Sequence, residues 1–259
     1  MLDRRDDVRE RIQTGQYGAE WLSEHSARTP EEIVKDGKTT RAWFAVIDGR
    51  DVFVKWYPAE RRASWAYIEA VISGAGLHPQ IVPLRQTVEC ADGVLLIFDR
   101  VRGESLAPQE VRAQFSRLPQ VERTAAVLTA SEALAAICEA AFMVVDWYEG
   151  NMIYDFDARR LWLFDWELCR EGGSFVLTMA ANYGSSRLMA PEEFVRGSRL
   201  DQKTLVFNLG RYALMTLPDL AEPLAPVLAR ATYPAPSGRY GTIQEFATAL
   251  RQAITEAEC

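Results

Sequence analysis

The hydrophobic pattern of this chain changes rhythm along its length. AWFAVI (42–47), DVFVKWY (51–57), IVPLRQTVE (81–89) and GVLLIFDRV (93–101) are short runs in which apolar residues alternate with others or run together. A two-residue period sends successive side chains to opposite faces, so each run predicts a strand. IDGRD, between the first two, carries an Asp-Gly hairpin signal. AERRASWAYIEAVISGAG (59–76) has a helical period instead and is stopped by glycines. Residues 1–26 also read as helical, with DDVRERIQ and GAEWLSEH as amphipathic pieces.

From about residue 107 the period lengthens. PQEVRAQFSRL (108–118) and the alanine-rich QVERTAAVLTASEALAAICEAA (120–141) predict helices. VVDWYEGNMIYDF (144–156), a hairpin-like DFDARRL and LFDWE (163–167) interrupt them, and after residue 190 the chain reads as mostly helical. The expected fold is therefore α+β. It has an N-terminal helical extension (1–26), a β-rich lobe with one main helix (27–100) and a mostly helical lobe (101–259), joined near DRVRGESLAP. The chain has no internal repeat and no low-complexity linker.

Composition narrows the function. The chain has 259 residues, 48 % apolar and 25 % charged, an ordinary globular balance. Acidic residues outnumber basic ones by 36 to 29, giving a net charge of −7, which argues against a general nucleic-acid binder. Cys90, Cys138, Cys169 and Cys259 are too scattered for a zinc knuckle or a redox pair and suit a reducing compartment. The opening MLDRRDDVRERIQ lacks the apolar region of a signal peptide, and ALAAICEAAFMVV is broken by Glu139 and too short to span a bilayer. A cytoplasmic protein without a membrane partner is expected. The oligomeric state is left open. With only His25 and His78, a Ser-His-Asp triad or a multi-histidine metal site is nearly excluded. His78 reads as a loop-packing residue. Carboxylates and lysine must then carry any proton or metal chemistry.

Asp146, Asn151 and Asp165 sit at the ends of buried-looking runs. Carboxylates there must be paired, hydrated or bound to a cation. A lysine on a strand with carboxylates on later loops suits phosphoryl transfer, which needs mainly positioning and charge neutralisation. Mg²⁺ is content with few protein oxygens, because phosphates and water complete its shell.

Several motifs, taken in order, resemble the protein-kinase-like superfamily over nearly the whole chain after about residue 36. VFVKWY resembles the third-strand lysine motif, with Lys55. YIEAVISGAGLHPQIVPL is similar to the helix and loop that follow, with Glu69 as partner of the lysine. VDWYEGN has the D-x-x-x-x-N spacing, with Asp146 and Asn151. LFDWE stands where the metal-binding Asp-Phe-Gly lies, giving Asp165. GSSRLMAPEEF resembles the end of the activation segment, with Ser185 at the threonine position. FNLGRYALMTL resembles the buried helix beyond it, and GRYGTIQEFATAL the closing arginine and last helix. Taken singly, Lys55 could be a strand-edge lysine, Glu69 a solvated helix carboxylate, and the Asp and Asn residues turn formers. The ordered set carries the resemblance.

The resemblance implies ATP and Mg²⁺. Gly37, Lys55, Asp99 and Val101 would bind nucleotide, with Phe98 lining its pocket. Asn151 and Asp165 would hold the metal. Asp146 would be the catalytic base, supported by Lys55 and Glu69, and Glu192 would pair with Arg239. The chain also departs from the family pattern. DGKTTRAW keeps only Gly37 of the glycine-rich loop, with Lys38, Thr39, Thr40 and Arg41 as possible substitute donors. Val144-Val145 replaces His-Arg, so the usual receiver of a phosphorylated segment is missing. Tyr148 stands where lysine is usual, Trp166-Glu167 replaces Phe-Gly, and Leu205 replaces an aspartate. The expected activity is phosphoryl transfer from ATP to a protein Ser/Thr hydroxyl. The alternatives are a small-molecule hydroxyl kinase of the aminoglycoside-phosphotransferase type and a non-catalytic pseudokinase that binds a partner.

Overall fold

The computed structural model describes residues 11–33, 40–217 and 222–257. The fold is α+β, with a mixed six-stranded sheet and seven α-helices among the described residues. Two compact units form. One holds the described residues through Val101 together with Asp165–Glu167; the other holds Arg102–Phe164 and the described residues from Leu168 onward.

The first unit contains β1 (Arg11–Gln13), α1 (Gly18–His25), β2 (Glu31–Ile33), β3 (Arg41–Ile47), β4 (Arg50–Pro58), α2 (Tyr67–Gly74), β5 (Leu84–Cys90) and β6 (Gly93–Asp99). Its sheet runs β1-β5-β6-β4-β3-β2. The β3–β4 hairpin closes through Asp48-Gly49 and pairs Ala42 with Lys55; on the other side of β4, Lys55 pairs with Leu96. Lys55 is thus fixed on an interior strand. Trp43, Ala45, Val54, Val88, Leu95 and Ile97 form the sheet side of the core, and α1 covers them with Trp21 and Leu22. Asp92 accepts a hydrogen bond from the Gly18 N–H at 2.8 Å, satisfying one of the orphan donors at the start of α1.

The N-terminal helical reading needs correction. Arg11–Gln13 is a strand parallel to β5, with Ile12 opposite Val88 and packed against the core. The open edge of β5 offers unpaired backbone groups, and pairing with them outweighs weak local helical preference. Residues 1–10 lie outside the described residues. A second difference lies between β4 and α2. The helical reading from 59 gives a 3₁₀ turn (Ala59–Arg61) and a wider π turn (Arg62–Ala66) before α2 begins. Arg62 reaches back to the carbonyls of Cys90 and Gly93, both at 3.0 Å, which ties the irregular turn to the sheet.

The second unit contains β7 (Glu104–Ser105), α3 (Gln109–Ser116), α4 (Gln120–Glu139), β8 (Phe142–Met143), β9 (Met152–Asp155), β10 (Arg160–Leu163), β11 (Arg170–Glu171), β12 (Ser174–Val176), β13 (Arg199–Asp201), α5 (Gln202–Thr216), α6 (Leu224–Ala231) and α7 (Ile243–Ala257). α4 packs against α5 and α7. Its buried Ala126, Ala130, Ala133 and Leu134 recur at helical spacing and allow close approach. The β9–β10 hairpin pairs Met152 with Leu163, so the 144–151 loop before it and Phe164 after it lie at the same open end, where the Phe164 N–H donates to the Asn151 carbonyl at 3.1 Å. Among the described residues no helix is long and apolar enough to cross a membrane.

Gly93 opens β6 opposite Pro58, and a Cβ there would lie 2.0 Å from the Tyr57 carbonyl oxygen. The backbone of an interior strand cannot yield to it without disturbing the ladder. Gly93→Ala should therefore destabilise the protein by about 2–3 kcal/mol, on the scale of core overpacking. A clearly lower midpoint in urea than wild type is the expected result.

Candidate functional site

In the first unit, three chain segments meet around one buried ammonium. Lys55 projects from β4, Glu69 from the buried face of α2, and Asp165 and Glu167 come from a segment distant in sequence. The Lys55 Nζ lies 2.5 Å from Asp165, 2.6 Å from Glu167 and 3.5 Å from Glu69. Tyr57, also on β4, donates its hydroxyl to Glu167 at 2.8 Å and lies 3.4 Å from Glu69. The Trp166 N–H donates to Glu69 at 2.9 Å and anchors the 165–167 backbone against α2. Lys55, Glu69 and Glu167 are all buried.

The electrostatics follow from this crowding. Burial alone would lower the Lys55 pKa, but Asp165, Glu69, Tyr57 and Glu167 outweigh it and raise it well above the ordinary lysine value. The ammonium stays charged. Burial pushes Glu69 up to about 7; Lys55 opposes the shift, and Asp165 and Glu167 reinforce it. Burial, then Glu69, also pushes the Tyr57 phenol well up, so it remains a donor.

One ligand oxygen from each of Glu69, Asp165 and Glu167 lies within 4.8 Å of the others. An all-oxygen set of this kind suits a hard cation such as Mg²⁺. The Lys55 ammonium now stands among these oxygens, so a metal ion would share them with it. Asp165 adopts φ +73°, a left-handed conformation uncommon for a residue with a side chain.

Three expected nucleotide contacts have different outcomes. Gly37 lies outside the described residues. Asp99 ends β6; its N–H donates to the Pro83 carbonyl at 3.1 Å and its side chain pairs with Arg85 at 2.7 Å. The Asp99 carbonyl is therefore its better group for a base edge. Val101 closes the first unit. Phe98 is buried on β6 against Phe53.

In the second unit, Asp146 also has a left-handed backbone, at φ +61°. The buried Val144 and Val145 hold the approach to it. Asn151 braces the loop: its side-chain oxygen accepts the Tyr148 N–H at 3.0 Å, and its own N–H donates to the Tyr148 carbonyl at 3.0 Å. The second lone pair of that oxygen is what it could offer to a metal. A Cβ on Gly150 would lie 2.3 Å from the Tyr148 ring, so glycine is what lets the ring lie there. Glu149 is buried and pairs with Arg187, and Arg112 lies 3.8 Å from it.

Ser185 begins a turn, its carbonyl accepting the N–H groups of Leu188 at 2.8 Å and Met189 at 3.2 Å. Below it, Glu192 and Arg239 form a two-pronged pair at 2.6 and 3.0 Å. The remaining Arg239 donors reach the carbonyls of Tyr233, Lys203 and Pro234, at 2.7, 3.1 and 2.6 Å. Thr204 donates to Glu192 at 2.9 Å.

Sequence reasoning missed four contributors. In the sequence Glu167 reads as the replacement of a glycine, and Tyr57 as one more residue of the DVFVKWY strand. Glu193 and Asn208 form a buried network: the Glu193 carboxylate accepts from Asn208 at 2.7 Å, Asn182 at 2.9 Å and the Ala190 N–H at 2.7 Å. The available signals were a second acid in LFDWE and a doubled acid in MAPEEF, either of which could equally be a solvated charge. No protein-family model matches the chain, and no curated protein matches it.

The Glu192–Arg239 pair yields a stability prediction. Burial raises the Glu192 pKa, but the Arg239 hydrogen bonds and the remaining contacts outweigh it, leaving a net shift below the ordinary value. A lowered folded pKa contributes stability that is present above the unfolded value and lost as pH falls through the folded one. Arg239→Ala should cost about 3–5 kcal/mol at neutral pH, because it strands a largely buried carboxylate. Arg239→Lys should recover only part of this, having no planar fork. Thermal melts should show the deficit of the alanine variant shrinking as the pH falls below the ordinary carboxylate range.

Proposed function

We propose that the chain is an ATP-dependent phosphotransferase of two-lobed, protein-kinase-like architecture. The observation that carries this reading is Lys55 paired with Glu69 and Asp165, groups from a strand, a helix and a segment 110 residues further on. A buried lysine held this way presents a fixed positive charge to the α/β-phosphates. Gly37 and the Asp99–Val101 backbone would hold the phosphates and the base. Asp165 would hold Mg²⁺, which when bound neutralises and orients the phosphates; Asn151 is the second metal residue that the resemblance implies. Asp146 would orient the acceptor hydroxyl. The hydroxyl oxygen bonds the γ-phosphorus as the bond to the β–γ bridging oxygen breaks. ADP leaves with that electron pair, and the acceptor proton passes to the Asp146 carboxylate.

The acceptor is a protein Ser/Thr hydroxyl in this reading. Val176, Tyr183, Phe194 and Val195, along the segment that follows Asp165, are exposed apolar side chains of the kind that contact a polypeptide. Val145 supplies no guanidinium for a phosphorylated segment. The Arg187 guanidinium is instead paired with the Glu149 carboxylate, which supplies permanently the negative charge that phosphorylation would add.

Incubation with γ-labelled ATP and Mg²⁺, alone and with a cell lysate, tests the activity. Labelled protein bands are expected; label confined to small molecules would point to a small-molecule hydroxyl kinase, and nucleotide binding without turnover to a pseudokinase. Asp146→Asn should lower kcat by about 100-fold or more while leaving ATP affinity near wild type. Asp165→Asn should weaken Mg²⁺-dependent nucleotide binding as well, and wild-type turnover in both variants would refute the assignment. Phosphatase-treated protein should match untreated protein in rate; a large drop would show that a phosphorylated segment is needed after all.

A further inference from the structure

Glu167 lies outside the roles just assigned, although its carboxylate is 2.6 Å from the Lys55 ammonium. The same oxygen, Oε2, accepts the Tyr57 hydroxyl at 2.8 Å, and the residue is only 8 % exposed. It is therefore held in place and poorly screened by water. Its position is set from both sides, by Tyr57 on β4 and by the Trp166 N–H anchored on Glu69. The groups facing Lys55 are Glu69, Asp165, Glu167 and the Tyr57 hydroxyl, so one positive charge is set against three carboxylates. The proposed function needs two of those carboxylates, Glu69 and Asp165. Glu167 is surplus to it.

We propose that Glu167 is a built-in counter-ion that competes with phosphate oxygens for Lys55 and sets the affinity of the site for polyphosphate anions. This rests on the reading of Lys55 as the phosphate-binding lysine. An anion approaching Lys55 meets the like charge of Glu167 in a desolvated setting, where repulsion is strong. To bind, it must draw the ammonium away from Glu167, and that lost ion pair is subtracted from the anion's own affinity. Tyr57 is a positioning residue: its hydroxyl steadies the carboxylate that makes the competing contact.

The test uses wild type, Glu167→Gln and Glu167→Ala, each titrated calorimetrically with ATP plus Mg²⁺ and, separately, with pyrophosphate. Glutamine keeps an oxygen for the Tyr57 hydroxyl and removes only the charge; alanine removes both. Each variant should bind both anions about tenfold or more tightly than wild type, the scale of one charge-assisted contact. Glu167→Gln should melt no lower than wild type, because a like charge has been taken from a crowded cluster; Glu167→Ala should melt lower than the glutamine variant, because the buried Tyr57 hydroxyl loses that acceptor. Equal or weaker binding by folded variants, with wild type binding ATP, would overturn the counter-ion role and leave the proposed function standing. Tighter pyrophosphate binding without any ATP binding would support the counter-ion role and remove the nucleotide reading. No binding of either anion by any of the three proteins would sink both. If neither variant folds, the counter-ion role falls too, since the cluster then needs Glu167 for its stability.

Discussion

A charge buried on an interior strand must be answered by other charges, and much of the first unit follows from that constraint. Lys55 sits between β3 and β6, where neither neighbouring strand supplies a counter-charge: its register partners are Ala42 and Leu96. An ammonium in such a place would lose its proton or disrupt the sheet. The chain answers from outside the sheet, turning α2 so that Glu69 faces inward and bringing Asp165 and Glu167 back from far along the sequence. The irregular turns before α2 belong to the same solution. By tying Arg62 to the β5–β6 end of the sheet, they set where α2 starts and so which of its residues face Lys55.

The second unit meets the same problem with a different balance of charge. There Arg239 is a buried cation, and its planar fork lets one carboxylate and three carbonyls satisfy it completely. One charge is matched by one charge, and the remaining donors meet neutral acceptors. Such a pair is a structural tie. The Lys55 cluster is over-supplied with acid: burial pushes Glu69 up to about 7 against the pull of Lys55, and Asp165 and Glu167 add to the rise. Excess negative charge around a lysine is poor design for stability alone. It is what a site would hold if some of its acids were meant for another cation.

The parts of this organisation visible in the sequence were those with a local period or a fixed spacing. Strands β3, β4 and β6 show as alternating or apolar runs, and α4 as a long alanine-rich helix. Lys55, Glu69, Asp165, Glu192 and Arg239 stood out because a known pattern spaces them in order. What stayed hidden depends on contacts made across long separations. β1 has three residues and only Ile12 to mark it; its strand state comes from the β5 edge, which no local signal announces. Glu167 and Tyr57 lie 110 residues apart, and nothing in LFDWE says that its second acid turns inward to a tyrosine. Glu193 is similar. Beside Glu192 it reads as one more surface charge, yet burial raises its pKa and two asparagines and a backbone N–H hold it.

The two aspartates that the proposed function employs share a backbone feature that the spacing of the motifs does not reveal. Asp146 and Asp165 both adopt left-handed conformations, at φ +61° and +73°. Aspartate tolerates this region better than most residues, but the conformation still opposes the intrinsic preference of an L-residue. Each sits beside a braced segment. Asn151 closes the loop after Asp146 through two hydrogen bonds to Tyr148, and the Trp166 N–H fixes the backbone next to Asp165 on Glu69. Strain of this kind persists only where the surroundings over-determine the backbone, and it is found disproportionately at functional sites. Glycine at either position would relieve it but would give up the carboxylate. The bracing suggests that the direction of those two carboxylates, more than backbone comfort, is what the local structure has been built to keep.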